Sequence, residues 1–276
     1  MAGRLSFLDN WLNDIHDKSI EVFLVHDIQD ENTSDELHQL ILEKNNPHIY
    51  LSEGKYGTAG VARNSVLNDC KGQWVIFWDS DDIPNVANTF NAIDNSFDVI
   101  IGEFLTQSPN GDQKHNYHGK NEASSMTEMS FQPGIWRTLF KKKVISDIRF
   151  PSFKMGEDQG FLAQINWDDL RIKFSNSTFY TYNIGQDSQT TAPGNSRASL
   201  IDSLSYLSTL IASKSGNEIF IRNLASRQFL TAIRGTKSAL RVKTVTVFLR
   251  YFKGPKQAYR QLVSLVALIS YLVGSE

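Results

Sequence analysis

The sequence predicts an α/β fold, a mostly parallel sheet flanked by helices with a helical extension at its C-terminal end. Three observations carry this reading. Short apolar runs alternate with helix-periodic stretches, two of those runs end in acids, and from Ala198 onward helical periodicity dominates. Strands alternating with helices at this spacing need crossover connections and therefore pair in parallel, with ligands expected beyond their carboxyl ends.

Phe7, Leu8, Trp11, Leu12 and Ile15 recur at three- and four-residue steps and predict an amphipathic helix. Glu21–Asp27 (EVFLVHD) is a short apolar run ending in an acid and predicts a strand, followed by a helix near Ser34–Lys44. His48–Ser52 predicts a second strand, and after a loop carrying Gly54, Gly57 and Gly60 the segment Val61–Cys70 predicts a helix. Trp74–Trp78 (WVIFW) is apolar throughout, as a strand covered on both faces must be, and it runs directly into Asp79, Ser80, Asp81 and Asp82. Beyond it, Pro84 suits a first helical turn. After a strand at Asp98–Leu105, residues 106–130 read as a polar, flexible stretch in which Asn110-Gly111 signals a hairpin or loop. Ile135–Ile145 and Phe161–Trp167 read as helical, Ile172–Tyr182 as one or two strands, and Gly185–Ser196 as a boundary. The expected organisation is a domain over 1–190 and a helical extension over 191–276.

At 276 residues, 41% hydrophobic and 21% charged, the chain has the composition of an ordinary globular protein with one substantial core. Its one cysteine, Cys70, rules out an internal disulfide and a cysteine-built zinc site, and cytoplasm is the expected compartment. The first residues lack the unbroken apolar stretch of a signal peptide. The net charge of −2 hides an asymmetry: residues 1–213 hold 17 basic and 28 acidic side chains, whereas 214–276 hold 11 and 2. A basic tail with an apolar end at Leu262–Val273 suits an anionic membrane surface better than nucleic acid, and no nucleic-acid partner is expected. Twelve apolar residues are too few to span a bilayer, which takes about 20. The alternative is a helix packed on its own domain with a solvated basic face.

Three acids within four positions at a strand end repel one another, and a divalent cation is the simplest compensation. Oxygen-only ligands favour Mg2+ or Mn2+ and leave coordination sites open for phosphate oxygens. A short acidic pair that caps a helix or sits on a solvated turn is the competing reading. The six histidines show no metal-ligand spacing, and His115 and His118 receive no role; no Ser-His-Asp order or phosphate-binding glycine-lysine loop stands out. Trp136 with Arg137 reads as an acceptor-groove pair or, alternatively, as a core tryptophan beside a surface arginine, and Lys141–Lys143 as a phosphate-attracting run or a solvated helix face.

The segment Gly57 to Pro84, GTAGVARNSVLNDCKGQWVIFWDSDDIP, and the downstream FPSFKMGEDQGFL at Phe150–Leu162 together resemble the family 2 glycosyltransferases, over roughly residues 5–190. The resemblance implies a GT-A, Rossmann-like fold, a nucleotide-diphosphate sugar donor, a divalent metal (Mn2+ or Mg2+) and inversion at the anomeric carbon. Asp79 and Asp81 match the family's Asp-x-Asp positions, with Asp81 as metal ligand and Asp79 at the metal and the ribose or diphosphate. Asp27 matches the acid that contacts the nucleotide base, against a turn or cap role. Arg63 lies near the diphosphate or braces the acids, against a surface salt bridge. Asp158 matches the general base, with Glu157 supporting it, against plain helix capping. The chain opens on a helix where family members begin with an apolar strand, and a late start of the sequence is the expected reason. Neither the Gln-x-x-Arg-Trp motif nor the membrane helices of processive members is found, so single-sugar transfer to a saccharide or lipid-linked saccharide is expected. The competing classes are a non-catalytic GT-A-like scaffold or sugar-binding relative, and a sugar nucleotidyltransferase.

Overall fold

The computed structural model describes residues 2–15, 19–28, 31–184, 195–213, 218–235, 238–250 and 255–274. In chain order the elements begin with α1 (Ala2–Leu12), β1 (Val22–Asp27), α2 (Glu31–Lys44), β2 (Ile49–Gly54) and α3 (Ala59–Val66). There follow β3 (Trp74–Val75), β4 (Ile83–Pro84), α4 (Val86–Asn91), β5 (Val99–Gln107), β6 (Gln113–Asn116) and α5 (Glu122–Phe131). After a 3-10 turn at Ile135–Arg137 come β7 (Thr138–Lys141), α6 (Lys142–Ile145), α7 (Glu157–Leu162) and β8 (Ile172–Asn183). The last four are α8 (Asn195–Ser213), α9 (Glu218–Gly235), α10 (Ser238–Arg250) and α11 (Pro255–Gly274). Residues 185–194 of the expected boundary at Gly185–Ser196 lie outside the described residues.

These elements form two compact units, each assembled from three segments of chain: 1–118, 134–149 and 170–186 make the first, and 119–133, 150–169 and 187–276 the second. The first unit holds β1 through β8. β1 and β2 pair in parallel, Val22 opposite Ile49 through Asp27 opposite Gly54, and among the described residues each pairs with the other alone. The six-stranded sheet runs β3-β7-β5-β8-β4, with β6 attached to β5. Leu8, Trp11 and Leu12 of α1 and Leu37 of α2 close over Val22, Leu24 and Ile49 of the two-stranded sheet. Ile100, Phe104, Leu139, Phe179 and Tyr180 form the core on the larger sheet. The second unit is helical, with α9 packed against α8, α5, α10 and α11.

The α/β class holds, but the larger sheet is mixed rather than mostly parallel. β5 and β8 run parallel, while β3–β7, β5–β7, β4–β8 and β5–β6 are antiparallel. The loop between β5 and β6 is too short for a crossover, so that pair can only be a hairpin. Gly111 takes φ +90 at its turn, as the Asn-Gly signal implies. The helix expected over Ile135–Ile145 is instead a 3-10 turn, strand β7 and a single turn of α6. Thr138, Leu139 and Phe140 are all buried because β7 lies between β3 and β5, and a short run with few apolar residues does not distinguish such a strand from a buried helix. The Trp74–Trp78 run makes ladder pairs only at Trp74 and Val75. Residues 106–130, expected to be one polar flexible stretch, contain β6 and α5. Asn121 caps α5 by accepting from the Ser124 amide while the Ser124 hydroxyl accepts from the Asn121 amide, a reciprocal pair that offsets two of the orphan amides at a helix start.

At the middle of β5 the pairing with β8 shifts register on either side of Glu103. A Cβ at the neighbouring Gly102 would lie 2.1 Å from Cγ of Phe179, a fully buried ring that cannot give way. Gly102→Ala is therefore expected to cost about 1–3 kcal/mol or more, read as a lower urea midpoint; an unchanged midpoint would show that β8 yields freely here.

Candidate active site

Asp27 ends β1, Glu157 and Asp158 begin α7, and Asp79, Asp81 and Asp82 lie in the turn that leads into β4. β1 delivers Asp27 to its C-terminal end, opposite Gly54. One Asp27 oxygen accepts from the Tyr56 amide at 2.7 Å and the other from the Gly57 amide at 3.1 Å. Gly57 takes φ +72, a conformation glycine adopts at little cost, and this lets both amides turn toward one carboxylate. Asp27 thus holds the glycine loop in shape and leaves lone pairs on both oxygens for a further donor. Thr58 then caps α3 by accepting from the Val61 amide at 3.2 Å, which fixes the direction in which the helix leaves the loop.

α3 carries Arg63 to the other acid cluster, where its Nη2 meets Asp79 Oδ1 at 2.5 Å. Arg63 is mostly covered and Asp79 about one-third exposed, so this is a partly desolvated, charge-assisted bond rather than a loose surface pair. The Asp79 amide donates to the Tyr180 hydroxyl at 3.1 Å, and that hydroxyl donates to Asp82 Oδ2 at 3.0 Å. Asp82 Oδ1 accepts from the Asn183 amide at 2.7 Å, while Asn183 Nδ2 donates to the Asp81 carbonyl at 2.9 Å. The Asp79–Asp82 turn is therefore latched to the end of β8 at four points. Asp82, the spare acid of the sequence, is buried and serves as the anchor, which leaves Asp79 and Asp81 on the more open side. Tyr180 is held flat by Trp136, whose ring stacks on it at 4.6 Å and on Tyr182 at 5.8 Å. Arg137, expected at the surface, is fully buried, with its guanidinium over the Phe104 ring and Nη1 donating to the Gly102 carbonyl.

Burial raises the Asp82 carboxyl to about 7, and repulsion from Asp79 and Asp81 adds to the shift against the pull of the Asn183 amide. The folded value lies above the ordinary one, so folding favours the protonated form. Its contribution is complete below about pH 4 and is lost as pH rises through about 7. Replacing Asp82 with Asn, which keeps an acceptor for Asn183, should remove this slope. Wild-type stability should fall relative to the variant between pH 5 and 8 by on the order of 3 kcal/mol, as measured by urea midpoints across pH; parallel profiles would refute the assignment. The separate buried acid Asp98 behaves oppositely. Its bonds to Lys143 and Arg171 hold it well below the usual carboxylate range, and it fastens β5 to its neighbours rather than serving the cluster.

Glu157 and Asp158 belong to the second unit, in the first turn of α7. Gly156, at φ +88, precedes them without a side-chain cap, and Asp158 Oδ1 accepts from the Gln159 amide at 2.8 Å. A Cβ on Gly156 would lie 2.8 Å from both Ser203 Oγ and Gln228 Nε2, so the turn approaches α8 and α9 as closely as glycine allows. Ser203 Oγ donates to the Gly156 carbonyl at 3.2 Å and accepts from Gln228 Nε2 at 2.8 Å. Sequence reasoning missed the anchors Tyr180, Asn183, Ser203 and Gln228. Each acts across a long sequence separation, and the aromatic-rich end of the Ile172–Tyr182 run is the only trace of any of them.

The family model described as "Glycosyl transferase family 2" matches residues 4–156, more than half of the chain and both the Ala-Arg-Asn helix and the Asp79–Asp82 turn. The chain belongs to glycosyl transferase family 2. Among curated members of related sequence, glycosyltransferase GlyG of Streptococcus pneumoniae serotype 4 is 23% identical over 185 residues, 60% of this chain and 61% of the relative. The family 2 chain thus aligns over less than two thirds of that relative's length. Among solved structures, S. aureus TarS 1–349 in complex with UDP-GlcNAc superposes with a TM-score of 0.67 at 16% identity, over 98% of this chain and 87% of the other. The mannosyltransferase PcManGT from Pyrobaculum calidifontis, in complex with GDP-Man and Mn2+, gives a TM-score of 0.52 at 12% identity over 98% and 82%. At these identities the likeness establishes the fold, which is of the GT-A type found in TarS.

Among the described residues no group of three or more histidine, cysteine or acidic side chains is arranged to hold a metal ion. The cluster offers at most two carboxylates, because Asp82 is buried and committed to Tyr180 and Asn183. Two hard oxygen donors suit a cation that takes its remaining ligands from water and phosphate, as Mg2+ and Mn2+ do.

Proposed function

We propose that this family 2 chain is an inverting, metal-dependent glycosyltransferase of the hexosyltransferase type, moving a single sugar from a nucleotide-diphosphate sugar to an acceptor hydroxyl. The observation that supports it best is the Asp79–Asp82 turn. Its buried member is latched to β8, Arg63 braces one of the other two acids, and the turn falls inside the family match. In this reading Asp81 and Asp79 hold Mn2+ or Mg2+, which supplies charge neutralisation for the departing diphosphate. Asp79 and Arg63 orient the donor, and Asp27 with its glycine loop takes the nucleotide base. Asp158 accepts the proton of the acceptor hydroxyl as that oxygen bonds to the anomeric carbon and the bond to the diphosphate breaks, and Glu157 supports the turn. The neighbours bear on the donor class: TarS is described with UDP-GlcNAc and with UDP, and PcManGT with GDP-Man and Mn2+.

The acceptor proposed is a saccharide or lipid-linked saccharide of surface polysaccharide or glycolipid synthesis, met in the cytoplasm with the protein peripheral at the inner face of the membrane. No helix among the described residues is long and apolar enough to cross a membrane. A panel of nucleotide sugars with Mn2+ tests the donor assignment. One member should raise the melting temperature, since a ligand that binds only the folded state stabilises it. No rise with any donor would favour the non-catalytic relative instead.

A further inference from the structure

The last two helices each leave a stripe of apolar side chains exposed. α11 docks on α9 through polar side chains: Gln261, 2% exposed, donates to the Arg222 carbonyl at 3.0 Å and to Ser226 Oγ at 2.7 Å, and its own Oε1 accepts from Arg222 Nη1 at 3.3 Å. Ser264 and Leu268 complete that inward face. The outward face is the apolar one. Tyr259, Leu262, Val263, Val266, Ile269 and Val273 are each between 46% and 70% exposed. At 100° per residue their spacing collects them into one stripe, about 21 Å long at 1.5 Å per residue. α10 also leaves apolar side chains outward, exposing Val242, Val245 and Leu249, while Thr244 and Phe248, the latter stacked on Phe229, face inward. Arg241, Lys243 and Arg250 stand exposed beside that second stripe. A helix that only packs on its own domain turns most of its apolar side chains inward, so apolar stripes left outward on two consecutive helices mark an interaction surface.

We propose that the outward faces of α10 and α11 together form a surface that lies in the headgroup region of an anionic bilayer. This deepens the membrane position suggested above and names the residues that would make it. Charge selects the occupant. The region from 214 onward carries 11 basic side chains against 2 acidic, and one of those acids, Glu218, is taken up by Arg222 and Arg260. An anionic lipid surface complements this charge, whereas a second copy of the chain would bring like charges face to face. Polar Gln257, Gln261, Ser264 and Ser270 along α11, and the lack of a spanning helix among the described residues, fit a helix lying in the interface rather than crossing it.

The test is co-sedimentation of the full chain with vesicles of phosphatidylcholine alone and with about one-third phosphatidylglycerol, for wild type and for Val266→Asp with Ile269→Asp. Both substituted positions face outward, and circular dichroism with the melting temperature checks that the variant folds. Wild type should pellet with the anionic vesicles only and be released by raised salt, and the double variant should lose at least tenfold of its vesicle affinity. Equal pelleting of the folded variant, or no wild-type pelleting, would overturn the proposal. So would a concentration-dependent dimer that the variant abolishes, because that result assigns the face to a second copy. Donor-induced melting shifts, measured on the same two proteins without vesicles, should be identical, so that failure of the donor assignment and failure of this one are read separately.

Discussion

Asp158→Asn is expected to lower sugar transfer by about 10²–10⁴-fold, the range that a positioned general base supplies, while the donor-induced melting shift stays as in wild type. The substitution isolates proton transfer from folding. Asp158 Oδ1 accepts from the Gln159 amide at the start of α7, and an asparagine carbonyl oxygen takes that bond equally well. What asparagine cannot do is accept a proton from an attacking hydroxyl at neutral pH. Glu157→Gln in the same turn provides the contrast, with a smaller loss because its place is supportive. Transfer by the Asp158→Asn variant at the wild-type rate would remove Asp158 as base and leave it a helix-start acid, stabilised there by the positive end of the helix.

Asp81→Ala should abolish the Mn2+-dependent part of the donor-induced melting shift and weaken donor binding by at least tenfold, about 1.4 kcal/mol. The truncation is local. Asn183 bonds the Asp81 backbone carbonyl and Asp82 bears the link to Tyr180, so the turn keeps its latches when the Asp81 side chain is removed. Asp79→Ala is the less clean experiment, because it removes a charge-assisted bond from the mostly covered Arg63 guanidinium and mixes a structural loss with a binding loss. A Mn2+-dependent shift of wild-type size in Asp81→Ala would rule out a cation at this turn.

Much of the chain announces its structure. Strands β1 and β2, helix α2 and the Asn110-Gly111 hairpin follow from apolar runs and turn chemistry that act within a few residues. The reading failed where tertiary context decides. Thr138–Phe140 could be a buried helix or a doubly covered strand on composition alone, and only its insertion between β3 and β5 settles the matter. The capping pair Asn121 and Ser124 was present in the sequence but hidden within a stretch whose polarity suggested a loop. At the candidate site the acids themselves were readable from motif order, whereas the division of labour among them was not. That Asp82 faces inward while Asp79 and Asp81 stay accessible depends on Tyr180 and Asn183, about a hundred positions away, and on Trp136 stacked behind the tyrosine. Arg137 illustrates the same limit: a charged side chain beside a tryptophan gives no hint that it will be enclosed against Phe104.

The close fit of Gly156 against Ser203 and Gln228 bears on how this protein can be taken apart and rebuilt. Ser199 reaches the Met155 carbonyl from the same helix, so the backbone that presents Glu157 and Asp158 is moored from below by α8 and α9. A chimera that transplants the acidic turn into a related enzyme has to bring the chain through Gln228 with it, together with α10 and α11, which pack on α8 and α9, α11 also bonding Ser226 beside that mooring.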